Sequence, residues 1–560
     1  MLALGIWSFG RDSSAALVDE HSIVAAIEEE KLSRTTGAGG IPRLAIARCL
    51  EQSNAKIADV QAAAIPRRPS VSALRESRFR LGLTFSNSSA AWFSFLGRTF
   101  REAGQVRQIR ELFEDSTNFL FLEHHLCHAA SAYYTSNFER ALVLSLDECG
   151  DMRAGSLYLG EGDELRLLLP IAYPNSLGWF FSSLTQLLGL RAHRDEHKAQ
   201  WLSKDGDPDF VPTFRKVFRR DSLCLPVLDT RYFGKDPDAN DGFAATILSE
   251  LKLTAQAVAS DPQLRASLAR SARVVLEEII LEMMERYRKQ YSVDSLCVAG
   301  GLFQNVLLVR ALENRSTFKE IWAQPVAGNS GTALGAALLA RKSLGGNPRQ
   351  SLPHLYLGPG FSSSAVKAVL DNCKIIYKYP SSEEQLCEHA IQLLLRDKIV
   401  AWFQGRTEFG HRALGARSIL SSPFSEYGIE NVNQYIKHRE DFHPFALAAP
   451  AEIVPQLFDC SPNCRFMASL GLLKEGTPSG LERFAFEGRQ VRVHCVERES
   501  NPRFWRLLHK FGERAPAPVL INTSFNLFGE PLVSDPREAV RSFYCAGIDA
   551  MAIGDFLIVK

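Results

Sequence analysis

His124-His125-Leu126-Cys127-His128-Ala129-Ala130-Ser131-Ala132-Tyr133-Tyr134 reads as a helix. The run after it, Ala141-Leu142-Val143-Leu144-Ser145-Leu146-Asp147, reads as a buried strand ending on a carboxylate. Helical residues four apart stack on one face, so His124 and His128 present two imidazoles one turn apart. Such a pair can hold one metal ion, at about 2.0–2.1 Å from each nitrogen if the ion is zinc. The plainer reading of an isolated His-x-x-x-His is two packed or solvent-facing histidines. A strand that delivers Asp147 beside them makes a two-histidine, one-carboxylate set instead, which suits iron(II), manganese or zinc.

The rest of the chain gives this pair its setting. At 560 residues it exceeds what one core can hold, so two to four domains are expected. With 46% hydrophobic and 23% charged residues and a net charge of +1, the composition is that of an ordinary soluble protein, and no basic face points to nucleic acid. Met1–Ile6 reads as a first strand, without the basic start or cleavage site of a signal peptide. No apolar run is long enough for a membrane span. The 11 cysteines form no paired framework, which fits a reducing, cytoplasmic setting. Cys460-x-x-x-Cys464 lacks a second pair and reads as packing or surface cysteines.

Near the front, Leu2–Ser8, Ala15–Val18 and Ser22–Ile27 read as strands. The turn Gly10-Arg11-Asp12-Ser13-Ser14 has the form of a phosphate-binding loop, a form shared with many ordinary hairpins. Glu28-Glu29-Glu30-Lys31-Leu32-Ser33-Arg34 reads as a solvated segment entering a helix. Residues 70–120 mix arginine with aromatics (Arg78, Arg80, Phe85, Trp92, Phe93, Phe100) and read as a helical insertion. Glu148–Asp151 reads as a turn, and His193-Arg194-Asp195-Glu196-His197-Lys198 as a charged loop. Residues 262–290 carry the longest amphipathic stripe, Leu264, Leu268, Ala272, Val275, Ile279 and Met283.

Two further stretches offer anion chemistry. Strand Ser295–Ala299 runs into Gly300-Gly301-Leu302-Phe303-Gln304-Asn305 and a helix, an arrangement that exposes main-chain N–H groups to an anion or nucleotide. A strand over Ile321–Ala327 leads to Gly328-Asn329-Ser330-Gly331 and another helix. Gly345–Ser364, rich in Gly, Pro and Ser, reads as the main linker. After strand Ile399–Phe403 comes Gln404–Ser418, where Arg406, Arg412 and Arg417 alternate with glycines. Guanidinium forks grip phosphate oxygens bidentately, and glycines let the backbone approach. Lys437-His438-Arg439-Glu440, Asn501-Pro502-Arg503 and Asn522-Thr523-Ser524-Phe525-Asn526 continue this theme. The chain closes on strands at Ala550–Ile553 and Phe556–Val559.

In order along the chain, Asp12-Ser13-Ser14, the Glu28–Arg34 cluster, His124–Tyr134, Asp147, Gly300-Gly301 with Asn305, Gly331–Gly335, Gln404–Ser418, Lys437–Glu440 and Asn522–Pro531 resemble the two-domain O-carbamoyltransferase family of the tobramycin and nodulation enzymes. The resemblance implies an α/β protein: an N-terminal ASKHA (actin-like ATPase) duplicated domain over 1–345, a linker over 346–364 and a YrdC-like domain over 365–560. It implies that carbamoyl phosphate and ATP with Mg2+ become carbamoyl adenylate in the C-terminal domain. Arg406, Arg412, Arg417, Lys437, Arg439 and Arg503 would hold phosphate and carbamate there, and Asn522, Ser524 and Asn526 the adenylate. The N-terminal domain would pass the carbamoyl group to a free hydroxyl of a small natural product, as in antibiotic biosynthesis. There His124, His128 and Asp147 would hold iron(II) or another divalent ion, Asp12 and Lys198 would complete the catalytic set, and Gly300, Gly301, Asn305 and Gly331 would line the nucleotide.

Three positions depart from the pattern. Asn329 stands where an aspartate, a fourth metal ligand, is expected; its amide oxygen can coordinate but brings no charge. Trp201 stands where a glycine is expected, and Arg11 where a histidine is. A nucleotide-binding ASKHA protein with a degenerate metal site is therefore the alternative reading. Transfer to tRNA is disfavoured by the neutral charge. The acceptor pocket falls to the insertions at 70–120 and 205–260, and a homodimer is the default assembly.

Overall fold

Asp147 is carried by the central strand of a five-stranded sheet in a mixed α/β protein. The computed structural model describes residues 1–82, 89–234 and 242–560, without the side chains of 78–82 and 89–95, so Phe85 and the side chains of Arg78, Arg80, Trp92 and Phe93 lie outside the described residues. β1 (Ala3–Trp7), β2 (Ser14–Val18), β3 (Ile23–Glu28), β4 (Ala62–Ile65) and β5 (Asn118–Phe121) form one sheet in the order β3-β2-β1-β4-β5. β6 (Arg140–Gly150), β7 (Arg153–Glu161) and β8 (Glu164–Ala172) begin a second, and β9 (Phe218–Arg220) with β10 (Pro226–Leu228) makes a separate ribbon. β11 (Ser295–Ala299) and β12 (Glu320–Ala323) complete the second sheet, in the order β12-β11-β6-β7-β8.

Counted from its own first strand, each sheet reads third, second, first, fourth, fifth. In both, the first strand pairs in parallel with the fourth and the fourth with the fifth. This is the duplicated α/β design that the resemblance implies. Helix Asn329–Ser343 packs against β1 and against helix His124–Tyr133. A Cβ on Gly5 or Gly335 would overlap main-chain atoms of Ala333 or Cys127, so only glycine permits these approaches. The amphipathic stripe is one helix, Pro262–Tyr291, capped by the Asp261 carboxylate; Leu268, Ala272, Val275, Ile279 and Met283 are all buried. The 70–120 segment holds helices Pro69–Gly82 and Ser89–Arg110. Among the described residues no helix is long and apolar enough to cross a membrane.

The contacts divide the chain into two units. One comprises Met1–Arg11, Leu17–Ser22 and Lys56–Ser351; the other comprises Asp12–Ala16, Ile23–Ala55 and Leu352–Lys560. The second unit is built on a nine-stranded mixed sheet of β13 (Val400–Phe403), β14 (Arg417–Ser421), β15 (Ala446–Pro450), β16 (Phe458–Asp459), β17 (Gly471–Leu473), β18 (Gln490–Val496), β19 (Leu520–Ser524), β20 (Ala550–Ile553) and β21 (Phe556–Val559). Its order is β16-β17-β18-β15-β19-β14-β13-β20-β21. Alternate side chains of a strand face opposite ways. Accordingly Ala401 and Phe403 enter one apolar core with Ile419 and Phe543, while Val400 and Trp402 enter the other with Leu386 and Phe504. In this unit Leu352, Leu355 and Leu357 are buried, and the Gly358 N–H donates to the Thr407 carbonyl at 2.9 Å.

Three local expectations are corrected. The Glu28–Arg34 cluster is not solvated: Glu28, Glu29 and Lys31 are buried, on short helix Glu29–Ser33. Glu148–Gly150 is not a turn but the end of β6, continued past a register shift; the reversal falls at Asp151 and Met152, both left-handed. The strand expected over Ile321–Ala327 pairs only as Glu320–Ala323, because Gln324 onward leaves the sheet toward the next helix.

Candidate functional site

Helix and strand bring the first stretch together. His128 Nε2 lies 3.1 Å from Asp147 Oδ2 and 3.1 Å from His124 Nε2, and His124 Nε2 lies 3.4 Å from the same Oδ2. One donor atom from each residue falls within 4.8 Å of the others. The Glu123 carboxylate caps the helix, accepting from the Leu126 N–H at 2.8 Å and the Tyr158 hydroxyl at 2.9 Å. Asp151 accepts from the His124 N–H at 3.1 Å, and His124 Nδ1 faces the Pro66 carbonyl at 3.3 Å. That carbonyl can accept a ring proton from Nδ1, which would leave the Nε2 lone pair for a cation held at the shared centre. His125 points elsewhere, with Nδ1 2.9 Å from Ser145 Oγ and Nε2 3.1 Å from the Arg153 carbonyl.

The electrostatics suit a cation. Burial opposes charge on Asp147, yet its two histidine hydrogen bonds hold the carboxyl well below its usual range. Burial pushes His128 down to about 4, so it stays neutral. Burial also opposes the His124 cation, but Asp147 outweighs it and raises that group. A carboxylate and two imidazoles on one point are a fitting donor set for a divalent ion. The Asn329 side-chain oxygen is buried and accepts no hydrogen bond among the described residues.

The other N-terminal candidates have varied settings. A Cβ on Gly301 would come within 2.8 Å of Asp147 Oδ1, so the glycine pair lies beside the carboxylate. The Gly300 N–H donates to Ala327 and the Gly331 N–H to Gly328. Asn305 caps its own helix, accepting from Leu307 N–H at 3.1 Å and Leu308 N–H at 3.4 Å, so those amides already have an acceptor. Lys198 is half-buried on helix Glu196–Leu202, where it adds to the charge that favours the Asp195 carboxylate. Trp201 on that helix is fully buried. Asp12 belongs to the second unit, in a left-handed turn, and its charge contributes to raising Glu30.

In the second unit the arginines separate into two kinds. Arg406 donates to the carbonyls of Gly358, Leu357 and Val24 at 2.6–2.9 Å. Arg417 donates to Gln404, Gly405 and Ala416 carbonyls. Arg503 bonds Gln404 and pairs with Glu383 and Asp555. These three forks are committed to protein groups. Arg412 is different: it makes no hydrogen bond or ion pair among the described residues, and burial with the nearby charge of Arg492 drives it well below its ordinary value. Burial and Arg492 likewise bring Arg439 to about 9, and burial alone brings Arg492 to about 10. Lys437 is well below its ordinary range through burial and Arg439. An arginine keeps its proton at such values. The shifts express the cost of gathering a buried lysine and three half-buried arginines, a cost that a bound anion removes.

The motif after β19 closes around this cluster. Lys437 Nζ donates to Ser524 Oγ at 3.0 Å, to the Ser524 carbonyl at 2.6 Å and to Asn526. Asn522 donates to the Ala413 carbonyl at 3.0 Å, while its own side-chain oxygen is buried without a donor among the described residues. Sequence reading missed Arg492 and the buried His494, both on β18. The alternation Val491-Arg492-Val493-His494 was the available signal, two apolar residues facing one core and two polar ones on the opposite face of the strand.

Comparison with known proteins agrees over most of the chain. Residues 3–338 match the carbamoyltransferase N-terminus family and residues 391–560 the carbamoyltransferase C-terminus family. The nodulation protein NolNO of Sinorhizobium fredii is 30% identical over 563 residues, covering 99% of this chain and 79% of that protein. The 3'-hydroxymethylcephem-O-carbamoyltransferase of Amycolatopsis lactamdurans is 27% identical over 361 residues, covering 62% of this chain and 67% of that one. Among solved structures, component A of the Acidaminococcus fermentans (R)-2-hydroxyglutaryl-CoA dehydratase aligns with a TM-score of 0.32 at 16% identity, covering 62% of this chain and 99% of that one. With both halves matched in order, this chain belongs to the carbamoyltransferase family of enzymes.

Proposed function

We propose that in its second unit this enzyme makes carbamoyl adenylate, water cleaving carbamoyl phosphate to carbamate and phosphate and the carbamate oxygen then displacing pyrophosphate from the α-phosphorus of ATP, and that it carbamoylates a hydroxyl of a small acceptor at the histidine site of its first. The observation that carries this is the cluster Arg412, Lys437, Arg439 and Arg492: a buried lysine and three half-buried arginines whose gathered charges call for a polyanion. Phosphates answer that need, and forked guanidinium groups grip them. Arg412, Arg439 and Arg492 hold the phosphate and carbamate oxygens. Lys437 fixes the Ser524–Asn526 turn, which with Asn522 contacts the adenylate. The other three arginines frame the pocket.

His124, His128 and Asp147 hold a divalent cation, iron(II) in our reading, with Asn329 as a neutral fourth donor. A cation there supplies Lewis acidity toward the carbamoyl oxygen. The chain's own part is to orient the His124 imidazole through the Pro66 carbonyl, to hold that residue's main chain through Asp151, and to keep water away from a reactive anhydride. The acceptor oxygen bonds to the carbamoyl carbon, AMP leaves, and the hydroxyl proton goes to solvent.

The test is AMP release from ATP. It should depend on carbamoyl phosphate and fall at least a hundredfold in Arg412→Ala; unchanged release in that variant overturns the assignment of the arginine loop.

A further inference from the structure

The Glu28–Arg34 segment is far from the arginine loop in sequence, yet it belongs to the second unit and buries Glu28, Glu29 and Lys31 there. Lys31 Nζ donates to the Glu408 carbonyl at 2.7 Å and the Gly410 carbonyl at 2.6 Å, and pairs with Glu28 Oε2 at 2.7 Å. Glu28 Oε1 accepts the Gly410 N–H at 2.6 Å. The Gly410 peptide is therefore held from both its ends by one ion pair. The Glu408 side chain, itself fully buried, accepts from Leu414 N–H at 2.8 Å, Ala416 N–H at 2.9 Å and Arg417 N–H at 3.1 Å. Between these two fixed shoulders stands Arg412.

The same segment reaches the second loop of the cluster. Arg34 donates to the Leu532 carbonyl at 2.7 Å and pairs with Glu530 at 3.2 Å and Glu538 at 3.4 Å. Thr36 donates to the Gly529 carbonyl at 2.8 Å, and Asn526 donates to the Glu530 carbonyl at 2.6 Å. A buried ion pair adds little net stability, because its desolvation cost offsets its attraction, and a role in fixing one conformation is the better account of it.

We infer that Lys31, with Glu28, is a positioning residue of the carbamoyl phosphate site: it sets the Glu408–Gly410 main chain and thereby the reach of Arg412. A site of mutually repelling cations binds its anion well only if the loop is held in place beforehand. The inference rests on the function proposed above, and the experiment separates the two. Full-length Lys31→Met, Glu28→Gln, Arg412→Ala and Lys31→Met/Arg412→Ala are compared in AMP release at varied carbamoyl phosphate, with thermal melting recorded for each.

Lys31→Met should raise KM for carbamoyl phosphate about tenfold while kcat moves less than threefold, and Glu28→Gln should do the same more weakly, about threefold in KM. In the double variant the lysine change should add nothing to Arg412→Ala. If Arg412→Ala raises KM but Lys31→Met does not, or if the two effects multiply, Lys31 does not act through Arg412 and the inference falls alone. If Arg412→Ala leaves KM unchanged, the carbamoyl phosphate reading falls and takes this inference with it. Should Lys31→Met not fold, the isosteric Glu28→Gln decides on the same criteria.

Discussion

Arg417 lays its guanidinium carbon 3.6 Å from the centroid of the Phe403 ring, on the strand that pairs with its own. With its forks on three carbonyls as well, this arginine is part of the core, whereas Arg412, five residues earlier, has no protein partner among the described residues. The two should respond oppositely to removal. Arg417→Met strands several buried carbonyls and loses the ring contact, and should cost about 3–5 kcal/mol of unfolding free energy in urea. Arg412→Ala removes one of several like charges and should change stability by less than about 1 kcal/mol, or raise it.

This pair also marks how far the sequence could be read. The Gly-Arg alternation of 404–418 announced an anion loop, and a cation cluster is there. Spacing alone could not tell an arginine aimed at the cluster from one folded back on carbonyls, because both are the same residue five or six positions apart. His124, His128 and Asp147 were legible because helix periodicity and a strand end are local rules. The role of Lys31 was not, since its partners Glu408 and Gly410 lie 377 and 379 residues away. A charged run with distant partners looks like any solvated run. Half-buried Arg492 and buried His494 are hidden in the same way, on a strand whose alternation looks like that of any half-solvated strand.

Gly150 ends β6 against the His124 ring, where an added Cβ would overlap the imidazole carbons. Gly150→Ala should therefore turn or displace His124 without touching any other proposed ligand. We expect divalent-ion affinity to fall at least tenfold, measured by titration of the metal-free protein with iron(II) or cobalt(II), with melting of the metal-free protein lowered by only a few degrees. Unaltered affinity would mean that His124 is not a ligand.

Asn329 has a buried side-chain oxygen without a donor among the described residues. Asn329→Asp changes one atom and adds a charge. Beside a bound cation the new carboxylate should tighten metal binding at least tenfold, since carboxylate is the stronger ligand for such ions. Without metal it should destabilise the protein, as an uncompensated buried charge. The measurement is melting of the variant with and without added divalent ion: a larger ion-induced rise than in the parent protein is the expected result, and an equal rise rules Asn329 out.

His494 gives the clearest pH signature away from the proposed metal site. It is buried beside Asn522, and burial pushes it down to about 3. In the unfolded chain a histidine titrates near 6.5, roughly. Between those values the unfolded state binds a proton that the folded state refuses, so stability is full above about 6.5 and falls as the pH drops toward 3. The loss from this one group is about 1.4 kcal/mol per pH unit once the pH is well below 6.5. Urea unfolding between pH 6 and 4 should therefore show a pH slope shallower by about that amount in His494→Gln, where nothing titrates. The substitution itself should cost stability at pH 8, because the ring stacks on Phe504 at 6.0 Å between centroids and an amide side chain does not replace it. An unchanged slope with lowered stability would show that His494 takes up its proton as readily in the folded protein as in the unfolded chain, and would overturn this prediction.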